Sequence, residues 1–238
     1  MNQHIFANLE HTFNDLLELF FPSLCIACGN RLVSQEKYLC LSCWADLPVT
    51  NFHLEAENKV AQIFWGRVQI ENATAWFHFR KGSNYQQIIH FIKYKGIKEL
   101  GLECGKRLGS CLAVSEGFKN IDAIVPVPLH PKKHKKRGFN QSEWIAKGIS
   151  EMLEKPLITG NLHRKIHTST QTKKNRLERW QNVEGIFAVK NPEEFSGKHL
   201  LLIDDVATTG ATLEACAEPL LNSENTKVSI ATLAYADI

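Results

Sequence analysis

Residues 4–21 place Ile5, Leu9, Phe13, Leu16, Leu17 and Phe20 near helical spacing, which predicts an amphipathic helix that Pro22 ends. Residues 23–50 form a short cysteine-bearing stretch, and 51–67 a connecting segment with little periodicity. From about residue 68 the pattern changes to strands alternating with helices. TAWFHF (74–79) has strand character, and NYQQIIHFIKYKG (84–96) sets Ile88, Ile89 and Ile92 on one helical face with Gly96 as its stop. A second helix is expected over 98–115, a short buried strand at IDAIVPV (121–127), and a helix over 139–154. HLLLIDD (199–205) reads as a buried strand, 211–223 as a helix and 227–235 as the final strand. This alternation predicts an α/β fold with a doubly wound, mostly parallel sheet. Ligands of such sheets bind in the loops beyond the carboxyl ends of the strands. The chain divides into 1–50, a helix plus the cysteine module, and 51–238, the sheet domain; no internal repeat or low-complexity tract is found.

Composition fits that picture. Hydrophobic residues make up 44% and charged residues 22%, as in ordinary globular proteins. No apolar run approaches the roughly 20 residues needed to span a bilayer, so no membrane insertion is expected. The N-terminal pattern is interrupted by Glu10, Asp15 and Glu18 and lacks a basic start and a small-residue cleavage site. A cytoplasmic protein is expected. The net charge of +3 conceals an asymmetry: residues 131–190 hold 14 Lys/Arg against 5 Asp/Glu, leaving 14 against 20 in the remainder. A basic segment in an otherwise acidic chain points to an anionic ligand, polyphosphate or nucleic acid, with a solvated lysine-rich loop as the alternative.

Seven cysteines, four of them clustered, do not resemble a secreted disulfide framework. Cys25, Cys28, Cys40 and Cys43 form C-x2-C-x11-C-x2-C. Two residues between thiolates let one tight turn present both sulfurs to an ion, and two such knuckles complete a tetrahedral, closed, structural zinc site. Two disulfides or an iron–sulfur cluster are the alternatives. Cys104, Cys111 and Cys216 fall on expected helices as packing residues.

The stretch LLIDDVATTGATL (201–213) ends an apolar strand on Asp204 and Asp205. Paired carboxylates there accept hydrogen bonds from a diol or help hold magnesium beside phosphate. Ala207, Thr208, Thr209, Gly210, Ala211 and Thr212 then lead into a helix. Small residues let successive N–H groups turn inward, the helix start adds free donors, and the hydroxyls add more, so this is a phosphate cradle. Carboxylates for a sugar and amides for its phosphate together indicate a sugar phosphate. Neither G-x-G-x-x-G nor G-x-x-x-x-G-K-[ST] is present.

LLLIDDVATTGATL resembles the phosphoribosyl-pyrophosphate (PRPP) motif of type I phosphoribosyltransferases. The resemblance implies that Asp204 and Asp205 bind the ribose hydroxyls, that Ala207 to Thr212 wrap the 5′-phosphate, and that magnesium bridges pyrophosphate and ribose oxygens. IVPVPLHPKKHKKRGFNQSEWIA (124–146) resembles the ComF/GntX branch, whose PVPLH strand end leads to an RGFNQ signature, here Arg137, Gly138, Phe139, Asn140 and Gln141. Arg164, Thr168, Gln171, Arg179, Asn182, Val183, Gly185 and Phe187 also match the branch. An N-terminal cysteine ribbon ahead of the transferase fold is usual there.

The basic segment acquires a role in this light. A loop after strand 121–127 carrying Lys132, Lys133, Lys135, Lys136 and Arg137 is placed to receive pyrophosphate, with Arg137 and Gly138 as the contact. Those lysines equally track a nucleic-acid backbone or stay solvated. Residues 163–182 resemble the loop that closes over PRPP, which excludes water. Displacement at the ribose anomeric carbon passes through an oxocarbenium-like state, with Asp204, Asp205 and Arg137 as the catalytic set. Two functions follow from the resemblance. One is a magnesium-dependent phosphoribosyltransferase of unassigned acceptor, a nucleobase salvage enzyme among the options. The other is a non-catalytic PRPP-binding competence factor that binds single-stranded DNA over 131–182 and works with other competence proteins. Tyr235, Phe139 and Trp180 are candidate stacking rings, each equally a packing residue.

Overall fold

The computed structural model describes residues 21–165 and 185–236. The helix expected over 4–21 lies outside these but for its last residue, as does most of the 163–182 loop, with Thr168, Gln171, Arg179, Trp180 and Asn182, and Val183 just beyond it.

The described elements are α1 (Leu41–Ala45), α2 (Lys59–Gln62), β1 (Ala73–Phe79), α3 (Gln86–Tyr94), α4 (Lys98–Ala113), β2 (Ala123–Pro126), α5 (Pro131–Arg137), α6 (Gln141–Leu153), β3 (Leu162–Arg164), β4 (Phe187–Val189), β5 (His199–Ala207), α7 (Ala211–Leu221) and β6 (Lys227–Ala236). Four strands form one sheet in the order β1-β6-β5-β2, every neighbouring pair parallel. Beside it, β3 and β4 pair antiparallel. Eight consecutive residues of β6 are buried, Val228 to Tyr235. Such an unbroken run is what a parallel strand covered on both faces requires.

The covering layers differ. On one face Ile88, Ile89 and Ile92 of α3, Leu100, Leu108 and Leu112 of α4, and Ile145 and Ile149 of α6 pack against Leu201, Ile203 and Leu233. Cys25, Leu39 and Leu47 of the cysteine module join that core, with the Trp44 and Trp76 rings 6.1 Å apart. On the other face Val60 of α2, Phe64, and Leu213, Cys216 and Leu220 of α7 pack against Leu200, Leu202 and Ile230. Helices α4 and α6 touch backbone to backbone. A Cβ on Gly105 would stand 2.1 Å from the Ile145 oxygen, and one on Gly148 2.2 Å from the Leu102 oxygen. Only hydrogen admits that approach, well inside a normal carbon–oxygen contact.

Among the described residues the expected strands and helices are present, with three differences. Residues 131–137, read as a basic loop, form helix α5. Its seven residues include none that are buried, so no apolar period announces it. Local chemistry supports it instead: Pro131 starts it, His130 accepts from the Lys132 N–H, and Gly138 at φ +80° closes it. The β3–β4 pair was not anticipated, its three-residue strands being too short to show alternation. Strand β5 also runs past the acidic pair to Ala207, because Val206 and Ala207 still pair with Ala234 and Tyr235 of β6. The β2–β5 ladder meanwhile ends at Pro126 and Ile203. Asp204 to Ala207 therefore continue beside β6 alone, with space where β2 has stopped. No helix among the described residues is long and apolar enough to cross a membrane.

Candidate functional site

That space is a cavity of about 220 Å³. Asp204 and Asp205 enter it from β5, Arg137 and Lys133 from α5, Gln141 and Ser142 from α6, Thr212 from α7, Lys93 from α3 and Arg164 from β3. The sequence-predicted Asp204, Asp205, Arg137 and Thr212 are thus brought together. Lys93, Ser142 and Arg164 complete the polar wall.

Each carboxylate has its own support. The Ser142 hydroxyl donates to Asp204 Oδ1 at 2.8 Å, and the Asp205 N–H donates to the same oxygen at 2.8 Å. Asp205 is 5% exposed, and its Oδ1 lies 2.9 Å from Lys93 Nζ. Its Oδ2 is buried without a hydrogen-bond partner among the described residues. Burial, then the Asp205 charge alongside, pushes the Asp204 carboxyl up to about 7, against the opposing pull of the Asp205 N–H, Ser142 and Lys93. Burial and the neighbouring charge thus work against ionisation of Asp204.

The RGFNQ segment supplies the scaffold opposite. Asn140 caps α6 through the Ser142 N–H at 3.2 Å and donates to the Val127 carbonyl at 3.0 Å, which ties the helix start to the end of β2. Arg137 donates to Gln141 Oε1 at 2.8 Å, and its guanidinium lies 5.2 Å from the centre of the Tyr94 ring. The guanidinium is held at the mouth of the acidic cavity. Lys132 and Lys135 point to solvent on α5, whereas Lys133 lines the cavity.

The turn after β5 has the form a phosphate cradle needs. Ala207 is buried, Thr208 and Thr209 are exposed, and Gly210 stands at φ +74° as the N-cap of α7. A Cβ on Gly210 would meet Ile63 Cγ2 at 2.5 Å and the Phe64 ring at 3.0 Å, so both conformation and space demand glycine. The first N–H groups of α7 lack intrahelical acceptors. Arg67 clamps the turn from outside: it donates to the Thr209 carbonyl at 2.7 Å and the Ile63 carbonyl at 3.1 Å, and pairs with Glu214. Neither Lys93 nor Arg67 was singled out from the sequence, since nothing local marks a cation whose partner lies in a distant segment. Ser142 carried a faint signal, adjoining the RGFNQ run.

The cysteine site packs beside α4 and β1. The Cys25, Cys28, Cys40 and Cys43 sulfurs all lie within 4.8 Å of one another. Cys28 and Cys40 sulfurs are 3.7 Å apart, too far for a disulfide of about 2.05 Å. Tetrahedral zinc with bonds of about 2.3 Å sets sulfurs roughly 3.8 Å apart, so the donor set fits that ion. Burial opposes ionisation of Cys25, yet the N–H groups of Cys28, Cys40 and Ala27 outweigh it and hold the thiol down at about 6. Burial and then the neighbouring sulfurs push Cys43 up. A cation at the centre relieves that crowding of charge. Arg107 lies 4.0 Å over the Trp44 ring and fastens the module to α4.

The candidate stacking rings fare differently. Tyr235 is 9% exposed and packs edge-on to Phe52 and His78, with centroids 6.1 and 6.3 Å away, so it is a packing residue. Phe139 is half-buried. Cys104 and Cys216 are buried in the two cores and Cys111 is half-buried, as expected of packing residues.

Known proteins extend these observations. A phosphoribosyl transferase domain matches residues 140–237, and a double zinc ribbon domain matches residues 16–53. The DNA utilization protein YhgH of Escherichia coli K12 is 28% identical over 216 residues, which cover 87% of this chain and 88% of that protein. Competence protein F of Haemophilus influenzae is 34% identical over 104 residues, covering 43% of this chain and 45% of that one. Competence protein ComFC of Bacillus subtilis is 38% identical over 98 residues, covering 41% and 38%. With its parallel α/β sheet, its acidic strand end and its four converging thiols, the chain carries a phosphoribosyl transferase domain behind a double zinc ribbon and is homologous to YhgH, competence protein F and ComFC.

Proposed function

We propose that the chain binds PRPP in the acidic cavity and serves DNA utilization or competence, as the names of its homologues state for them. The observation that carries this reading is one cavity lined by Asp204, Asp205, Arg137 and Thr212, the last at the start of α7 just after the glycine-dependent turn that follows the acidic pair. In it Asp204 and Asp205 accept from the ribose 2′- and 3′-hydroxyls. The N–H groups and hydroxyls from Ala207 to Thr212 hold the 5′-phosphate, and Arg137 with Gly138 meets the pyrophosphate. The buried, unpartnered Asp205 Oδ2 and the adjacent Asp204 carboxyl are the hard oxygen donors magnesium takes. Magnesium, when bound with PRPP, supplies positive charge beside the pyrophosphate.

As a transferase, the chain breaks the bond between the anomeric carbon and pyrophosphate and passes the sugar to an acceptor. Arg137 and Lys133 balance the charge of the departing pyrophosphate, while the carboxylates orient the ribose and stabilise positive charge growing on it. A second reading, PRPP binding without turnover in a factor for single-stranded DNA, is favoured by the lysines of α5, which carry no ion pair among the described residues. Strand contacts over 131–182, other competence proteins as partners, the division of the chain near residue 50 and a cytoplasmic setting belong to the same proposal.

The test follows the melting temperature with PRPP and magnesium, and pyrophosphate release with a panel of bases and oligonucleotides. A rise that Asp204→Asn with Asp205→Asn abolishes is expected; an unchanged rise in that variant rejects the site. Acceptor-dependent release identifies the transferase, and binding without release the second reading.

A further inference from the structure

A second cavity, of about 410 Å³, adjoins the acidic one across Lys93, Lys133 and Arg137, which line both. Its other walls are Tyr94, Lys95, Gly96 and Lys136. It is made where the end of α3 and the Gly96 turn face the last turn of α5. No carboxylate lines it, and among the described residues none of Lys95, Lys133 and Lys136 has an acidic partner within ion-pair distance. Four cations without an acidic partner among the described residues, Lys95, Lys133, Lys136 and Arg137, raise the positive potential of this hollow well above that of scattered surface lysines. Lys93 spends its charge on Asp205, so it marks the border between the cavity that holds the carboxylates and the hollow that has none.

The hollow also contains an aromatic ring. Tyr94 is 62% exposed, unusual for so large a side chain, and it lies beneath the Arg137 guanidinium with the His90 ring 5.2 Å away. Arg137 is itself fixed by Gln141. The ring and the guanidinium plane are therefore presented on ordered supports at the lip of a cationic hollow. A planar, exposed ring beside several lysines matches a ligand with a planar base and a phosphate. A bare polyanion uses the lysines and leaves the ring idle.

We infer that this hollow is a nucleotide subsite: Lys95 and Lys136 take a phosphate and the Tyr94 ring takes a base, next to the acidic cavity with which the hollow shares Lys133 and Arg137. The ligand is a free nucleotide or one residue of a single strand, since both carry the same groups. The inference rests on the proposed sugar-phosphate reading only for what lies next door.

The test uses the full chain and a fluorescein-labelled oligothymidylate, followed by anisotropy across a salt series, with the PRPP–magnesium melting shift measured alongside. Lys95 and Lys136 do not line the acidic cavity, so Lys95→Gln with Lys136→Gln is expected to leave the PRPP shift intact. The same variant weakens oligothymidylate binding roughly tenfold and flattens the log–log salt slope by about 1.4, near 0.7 for each lost contact to a single strand. Tyr94→Leu weakens binding roughly tenfold with the salt slope unchanged, as loss of stacking requires. Thymidine monophosphate that displaces the oligonucleotide identifies the free nucleotide as sufficient ligand; failure to displace, with both variants still weakened, identifies the strand. Three results overturn the inference: no binding of either nucleotide form, unchanged affinity and slope in both variants, or displacement by inorganic phosphate as effective as by thymidine monophosphate. A missing PRPP shift in the wild type, with the variants still losing oligothymidylate, rejects the acidic-site reading and leaves the subsite standing.

Discussion

Lys93 Nζ stands 2.9 Å from Asp205 Oδ1, an ion pair that links the last turn of α3 to a strand in the middle of the sheet. The carboxylate is almost wholly buried, whereas the lysine side chain keeps 21% of its surface in water. Lys93→Met is therefore expected to leave a buried, unpaired charge. Such losses run to about 3–5 kcal/mol in full burial, and the partly wet lysine places this one at about 2–3 kcal/mol. Urea unfolding measures it, and Asp205→Asn in the same chain recovers most of the loss. A single variant as stable as wild type contradicts the pairing.

Gly210→Ala combines a left-handed backbone, φ +74°, with a Cβ 2.5 Å from Ile63 Cγ2. Backbone strain of this kind costs about 1–3 kcal/mol, and the contact with α2's flank adds to it. A lower melting temperature and loss of the PRPP shift are expected together, because the turn that must move is the one proposed to hold the phosphate.

Asp204 imposes a pH dependence on the ligand-free, magnesium-free protein. Its folded-state value of about 7 lies above the ordinary 3.8. The folded chain thus keeps a proton that the unfolded chain has already released. The contribution to stability is complete below the ordinary value and is lost as pH rises through the folded one. Between about pH 4 and 7 wild type is expected to lose stability relative to Asp204→Asn, read from urea midpoints at matched ionic strength. Parallel curves contradict the assignment.

Zinc removal reaches beyond the ribbon. Cys25, Leu39 and Leu47 share a core with Phe77 of β1 and Leu108 of α4, and Arg107 stacks on Trp44. Metal analysis is expected to find about one zinc per chain. Chelation or Cys40→Ser lowers the melting temperature of the whole protein and shifts the emission of Trp44 and Trp76. A chain that melts unchanged after zinc has left shows that the module and the sheet are energetically separate.

Much of this architecture is legible before folding is considered. Strands β2, β5 and β6 are buried on both faces and must be written as apolar runs, and α3 announces its buried side through Ile88, Ile89 and Ile92. The acidic pair, the small residues after it and the four cysteines sit close together in sequence because one strand end, one turn or one knuckle must present them. Helix α5 was missed because caps and Pro131 support it, with no buried face to leave a period.

The sequence by itself therefore determined the fold class, the thiol cluster and the acidic strand end with its small-residue turn, all of which local spacing encodes. Only the tertiary structure decided what closes around them. It brought Lys93 to Asp205, Arg67 to Thr209, and Tyr94 beneath Arg137. Each joins segments remote along the chain, and a single charged or aromatic side chain carries no local mark of the partner that packing will bring to it.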